Sequence, residues 1–246
     1  MDWYAILDGN EVDLEELSKS FKDQDLTIEK VGSEYILKSI NFQSFSVSSE
    51  VSEKIKEKLE NINAGLLVTF GTERPVQIQR VINVDEKGHR QGFIGKLLAF
   101  VVRVRPTMDL VVIRKDGDLE TIVKSNPSDI IKALNSLAEK DQRAKDVVKL
   151  INHSFKSIST QSKIIEKIQA DDFSPVNRGG KYYDDIKRLN KAANNEKYVG
   201  IKESRHADEK KTSPSNEPIM TIPEAKSLTL TIIHEWINEK HKNDTR

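Results

Sequence analysis

The hydrophobic pattern changes period near residue 125, and this change constrains the fold more than any other feature. Before it, apolar residues come in short runs broken by turn residues. After Asn126-Pro127 they recur at helical spacing almost to the end of the chain. Strand-type sequence followed by helices, without alternation of the two, implies an α+β architecture and argues against a doubly wound sheet. The expected organisation is an α+β antiparallel-sheet domain over 1–124, with one clear helix, followed by an all-α helical bundle over 125–246. No internal repeat is visible.

In the first part, Trp3-Tyr4-Ala5-Ile6-Leu7 reads as a strand that ends at Asp8-Gly9-Asn10. Leu14, Leu17 and Phe21 suit a short helix. The runs Leu26 to Val31 and Tyr35 to Ile40, around Gly32-Ser33, read as a hairpin. Ser48 or Ser49 suits an N-cap, and Val51, Ile55, Leu59 and Ile62 then form one helical stripe. Asn63-Ala64-Gly65 is expected to stop that helix. Leu66 to Phe70, Val76 to Val84, Phe93 to Val104 and Leu110 to Ile113 are then expected as four strands of an antiparallel meander.

In the second part, Pro127 suits the first position of a helix carrying Ile130, Ile131, Leu134 and Leu137. Further stripes follow at Ala144-Val147-Val148-Ile151, at Ile164-Ile165-Ile168 and at Tyr182-Tyr183-Ile186-Leu189-Ala193. A last helix from Ile222 to His241 has Thr221 as its expected cap.

Composition removes several kinds of chemistry. The chain has no cysteine, which excludes disulfides, thiolate nucleophiles and Cys-based metal sites. Its 39 Lys+Arg balance 39 Asp+Glu, which argues against a general nucleic-acid coat. A charged fraction of 32% and a mean hydropathy of −0.55 suggest modest cores under solvated helices. No apolar run has the roughly 18–20 residues of a membrane helix, and the acidic start is unlike a signal peptide, so a cytoplasmic protein without a membrane partner is expected.

The histidines are scattered. His89 falls in a turn, His153 at a helix end, His234 beside packing residues and His241 in a charged tail. No spacing of His, Asp or Glu suits a tight metal site, and no cofactor is expected. Gly179-Gly180 could offer backbone N–H groups to an anion at a helix start, or simply let that helix begin. Asp184 and Asp185, adjacent on a helix, point apart and suit the helix dipole better than a shared metal.

The segment from Lys191 to Thr221 stands out. It connects two helices by a stretch longer than the roughly 12–15 residues beyond which structureless connections become uncommon. It carries Asn194, Lys202 and the pair Arg205-His206. Arginine supplies fixed donors for phosphate or carboxylate, and histidine moves a proton near neutral pH. Together with Lys187 and Arg188 just before it, these residues form the candidate anion-binding or RNA-binding set, with Arg205 and His206 as the hypothetical catalytic pair. The alternative is a surface loop whose Arg205 pairs with Asp184, Asp185 or Glu224.

Lys187-Arg188-Leu189-Asn190, Ala193-Asn194, Gly200, Arg205-His206-Ala207, Pro218-Ile219-Met220-Thr221, Glu224-Ala225 and Trp236-Ile237 resemble the C-terminal part of a set of uncharacterised bacterial proteins. The helical half is further similar to HEPN domains, helical bundles found in bacterial toxins and antiphage proteins. Many of these are metal-independent ribonucleases with Arg, four to six residues, then His. Here Arg205 and His206 are adjacent, so the resemblance implies either a rearranged site or a non-catalytic module. The leading expectation is a binding or scaffold component of a bacterial multi-component system, with antiphage defence as a possible setting. Its partner would be another protein or a second copy. The alternative is a HEPN-like ribonuclease or nucleotide-acting toxin using Arg205 and His206. A small-ligand sensor with the sheet half as receptor ranks last, because the sequence has no ligand motif.

Overall fold

A computed structural model describes residues 2–22, 25–71, 74–85, 87–94, 111–113, 119–121, 127–194 and 220–244. The chain forms two compact units, Met1–Asn135 and Ser136–Arg246.

The first unit is built on a five-stranded antiparallel sheet in the order β2-β3-β1-β4-β5. Its strands are β1 (Asp2–Asp8), β2 (Leu26–Val31), β3 (Glu34–Ser39), β4 (Gln77–Val84) and β5 (Arg90–Ile94), with helices α1 (Glu11–Ser20) and α2 (Ser48–Phe70) between them. β1 is the central strand and is buried from Trp3 to Leu7, which explains why it reads as a continuous apolar run. One face carries Trp3, Ala5, Leu7, Ile28, Leu37 and Val81, and these pack with Leu14, Leu17, Phe21, Val51, Ile55, Leu59 and Ile62 of the helices. Each fully buried Leu, Ile or Phe there contributes about 1.5–3 kcal/mol. The other face holds a smaller cluster of Tyr4, Ile6, Ile36 and Ile82.

Asn10 caps α1 by accepting from Val12 N–H at 2.9 Å. Gly32, at φ 63°, makes the β2–β3 turn. Asp85 shapes the β4–β5 turn, accepting from the N–H groups of Lys87 and His89 at 2.8 Å each.

Three expectations are corrected. Leu66 to Phe70 is not a strand, because α2 continues through Asn63-Ala64-Gly65 to Phe70. Gly65 does not break the helix but lets another segment approach: a Cβ there would lie 3.0 Å from Ile131 Cα. Asn63 holds the next strand's approach, its amide donating to Val76 O at 2.9 Å and accepting from Val76 N–H at 2.8 Å. The helix stops at Gly71, at φ 64°, whose N–H reaches Leu67 O. The four-strand meander is therefore replaced by a sheet in which β4 pairs with β1 and β5. Finally, neither Ser48 nor Ser49 caps α2; Val47 holds that position without a side-chain bond.

β6 (Val111–Ile113) and β7 (Leu119–Thr121) pair as a separate two-stranded sheet. The part of the expected strand Phe93 to Val104 beyond Ile94 lies outside the described residues.

Helix α3 (Pro127–Lys140) begins at Pro127 and spans the division between the units. The second unit continues with α4 (Gln142–Ser154), α5 (Ile158–Gln169), α6 (Tyr183–Ala193) and α7 (Ile222–Asp244). α5 packs against α4, α6 and α7 and is buried from Ile158 to Ile165 apart from Lys163. A helix buried on nearly every side is the expected centre of a bundle. The chain is thus α+β. Among the described residues, no helix is long and apolar enough to cross a membrane.

Candidate functional site

The candidate site can be built from α6 and the start of α7, which flank residues 195–219. Asp184 and Asp185 lie in the first turn of α6 and point to different partners, as adjacent helical residues must. Asp184 pairs with Lys187 at 3.4 Å, and Lys187 Nζ also lies 4.3 Å from the centre of the Tyr183 ring. Asp185 pairs with Arg188 Nη1 at 3.3 Å.

Arg188 also reaches Glu224 Oε1, in the first turn of α7, at 3.7 Å. It thereby bridges two helices. Its side chain is about three-quarters buried, and its Nε is buried without a hydrogen-bond partner among the described residues.

Glu224 belongs to a reciprocal cap. The Thr221 N–H and hydroxyl both donate to Glu224 Oε2 at 2.7 Å, while Glu224 N–H approaches Thr221 Oγ1 at 3.4 Å. This Thr-x-x-Glu arrangement starts α7 where the sequence places it. Hydrogen bonds from Thr221 hold the Glu224 carboxyl below the usual carboxylate range, with a smaller contribution from Arg188.

Asn194 stands at the C-terminal cap of α6, and its N–H donates to Asn190 O at 3.1 Å. Lys187, Arg188 and Asn194 thus sit along one helix and at its end. Lys202, Arg205 and His206 lie outside the described residues. The carboxylates proposed as partners for Arg205 are those that engage Lys187 and Arg188.

The Gly179-Gly180 turn is not an open anion cradle. Gly180 N–H donates to Asn177 O at 2.8 Å, Tyr182 N–H to Pro175 O at 2.9 Å and Tyr183 N–H to Gly180 O at 3.1 Å. Gly180 is required by crowding, since a Cβ would lie 2.4 Å from Ser174 O.

Two polar clusters in this unit were not apparent from sequence. In the first, Glu235 Oε1 accepts from Tyr182 Oη at 2.6 Å and from Lys181 Nζ at 2.9 Å. Burial, then the bond to Glu235, pushes the Tyr182 hydroxyl up to about 12.

The second centres on Asp171, whose side chain is only 6% exposed. Arg143 Nη1 donates to its Oδ1 at 2.7 Å, while Trp236 Nε1 and Lys240 Nζ reach its Oδ2 at 2.8 and 2.7 Å. Lys240 also contacts Asp141, which caps α4 by accepting from Arg143 N–H and Ala144 N–H. Burial opposes ionisation of Asp171, but the bonds from Lys240, Trp236 and Arg143 outweigh it and hold the carboxyl below its ordinary value.

His89 Nδ1 lies 2.9 Å from Asp85 Oδ2 in its turn, and His153 is in the last turn of α4. Among the described residues, no group of three or more His, Asp or Glu is placed to hold a metal ion. Comparisons with family models, with curated proteins and with solved structures find no match.

Proposed function

We propose that this chain is a non-catalytic binding protein, a scaffold component of a bacterial multi-component system with antiphage defence as its setting. Its partner is another protein or a second copy of the chain, and its compartment is the cytoplasm. The observation that supports this reading is the clasp at Arg188. The guanidinium that would grip a phosphate is engaged by Asp185 and Glu224, while the half-exposed Lys187 ammonium pairs at the surface with Asp184 beside the Tyr183 ring. Used in this way, Arg188 ties the middle of α6 to the start of α7, the helix that follows residues 195–219, while Lys187 pairs within α6. A site built to bind RNA would leave such donors open to phosphate.

The bacterial and defence setting rests on the resemblance of the 187–237 residues and of the helical half. The test has two arms. Total RNA is incubated in EDTA with the wild-type chain and with His206→Ala. The expected result is no cleavage above buffer by either; cleavage that disappears in His206→Ala overturns the reading in favour of a HEPN-like ribonuclease. In the second arm, a tagged chain is recovered from its native host and sized by light scattering. A stoichiometric partner or a dimer is expected, and a lone monomer overturns the reading.

A further inference from the structure

Three strand ends meet at one end of the five-stranded sheet: the starts of β1 and β2 and the end of β3. The surface dips there into a hollow of about 290 Å³, close to the lower bound of about 300 Å³ for small-molecule sites. The strand register sets Tyr4 beside Lys38, and Lys38 beside Thr27, on the face opposite α1 and α2. All three line the hollow, with Asp2, Asp25 and Ile40 also at its wall.

The charges of this hollow are unequal. Lys38 is paired with Glu29, so its ammonium is already neutralised. Asp2 accepts a long bond from Gln43 Nε2 at 3.4 Å. The Asp25 carboxylate has no partner among the described residues and is exposed. Tyr4 is only 8% exposed; its hydroxyl has no hydrogen-bond partner among the described residues and keeps access to solvent in the hollow. Ile40 is 66% exposed, a large apolar side chain left at the edge.

We infer that this hollow binds an organic cation, a protonated amine or guanidinium. Asp2 and Asp25 supply the counter-charge, Tyr4 supplies its hydroxyl at the wall of the hollow, and Ile40 packs against the ligand's carbon chain. Carboxylates attract cations, whereas an anion would meet two carboxylates and a lysine already paired. The site lies in the Met1–Asn135 unit and does not depend on the scaffold reading.

The test uses the full chain and two probes, followed by calorimetry and by amide NMR shifts. Agmatine presents the cation as a free small molecule; an acetylated and amidated Gly-Arg-Gly peptide presents it as a protein side chain. Saturable binding of either probe at the hollow is expected, and which one binds identifies the source. The double variant Asp2→Asn/Asp25→Asn should bind about tenfold more weakly, and added salt should weaken wild-type binding. Both positions are exposed, so the double variant is expected to stay folded, as circular dichroism would verify. Tyr4→Phe, which keeps the ring, should weaken binding severalfold. The inference is overturned if neither probe saturates, if the double variant binds as wild type does, or if inorganic phosphate binds at these residues instead.

Discussion

Trp236 donates its indole N–H to Asp171 Oδ2 at 2.8 Å, and the same oxygen lies 2.7 Å from Lys240 Nζ. A residue of the turn after α5 is thereby tied twice to α7. Asp171→Ala removes the acceptor and leaves three donors without it. Arg143 and Lys240 retain some access to water, so the cost stays below that of a fully buried pair, at about 2–3 kcal/mol. Trp236→Phe keeps most of the packing and loses one bond to a charged acceptor, for about 1.5–3 kcal/mol. Urea unfolding of each variant checks both values, and the two losses should not add, because they share one interaction.

The same carboxylate sets an acid limit. Its folded pKa lies below the unfolded value because the bonds from Lys240, Trp236 and Arg143 outweigh burial. A depressed carboxyl stabilises the fold fully above its unfolded pKa, and that stability is lost as pH falls through the folded pKa. Wild-type stability should therefore drop as pH moves below the ordinary carboxylate range. Asp171→Asn should be less stable at neutral pH and show a flatter acid limb. Urea midpoints measured from neutral pH downward give the comparison.

Tyr182 sets the opposite limit. Burial and the bond to Glu235 push its pKa up to about 12 from 10.0. An acid whose folded pKa is raised holds its proton longer in the fold, so stability falls as pH rises above the unfolded value. Ultraviolet titration of phenolate should show a late step near about 12. Tyr182→Phe should remove that step and reduce the alkaline loss of stability.

The parts of the fold that could be read from sequence share a property: their local chemistry agrees with their tertiary role. Thr221 and Glu224 form the cap that their spacing announces, and Gly32 turns the hairpin between two β-type runs. The extension of α2 had no such local mark. Leu66 to Phe70 is a short apolar run after a glycine, and a buried helix segment of that kind cannot be told from a strand by periodicity. The reason for Gly65 is Ile131, far along the chain. The Asp171 cluster was hidden for a similar cause: Asp141, Arg143, Asp171, Trp236 and Lys240 come from three separate segments, and the four charged residues singly resemble surface residues. Of the candidate site, Lys187, Arg188 and Asn194 fall on α6 and its cap, while Lys202, Arg205 and His206 lie outside the described residues.

Gly65 gives a direct test of the helix correction. A Cβ at this position would lie 3.0 Å from both Cα and Cγ2 of Ile131. In an isolated helix, replacing glycine by alanine gains about 1 kcal/mol, so Gly65→Ala should show little gain or a small loss as crowding offsets propensity. Gly65→Leu cannot be accommodated without displacing backbone and should cost about 1–3 kcal/mol or more. If residues 66–70 were instead a strand following a turn at Gly65, neither variant would meet Ile131. Thermal unfolding of the pair, with Gly32→Asn as a tolerated substitution in open space, separates the two cases.

The clasp at Arg188 carries the last expectation. Its partners Asp185 and Glu224 are half-exposed, at 49% and 51%, so the ion pairs themselves contribute at most about 1 kcal/mol. Arg188→Met keeps the aliphatic packing and should cost no more than that in global stability. The cap is worth a similar amount on its own: Thr221→Ala removes the hydroxyl that Glu224 holds and should cost about 1 kcal/mol. Both changes act on the first turn of α7, so their main effect should be local. Amide hydrogen exchange should speed up at Glu224, Ala225 and Lys226 in each variant and stay unchanged in α4. Unchanged protection of that turn in Arg188→Met would show that the guanidinium does not fasten α6 to α7, and would remove the support for a scaffold.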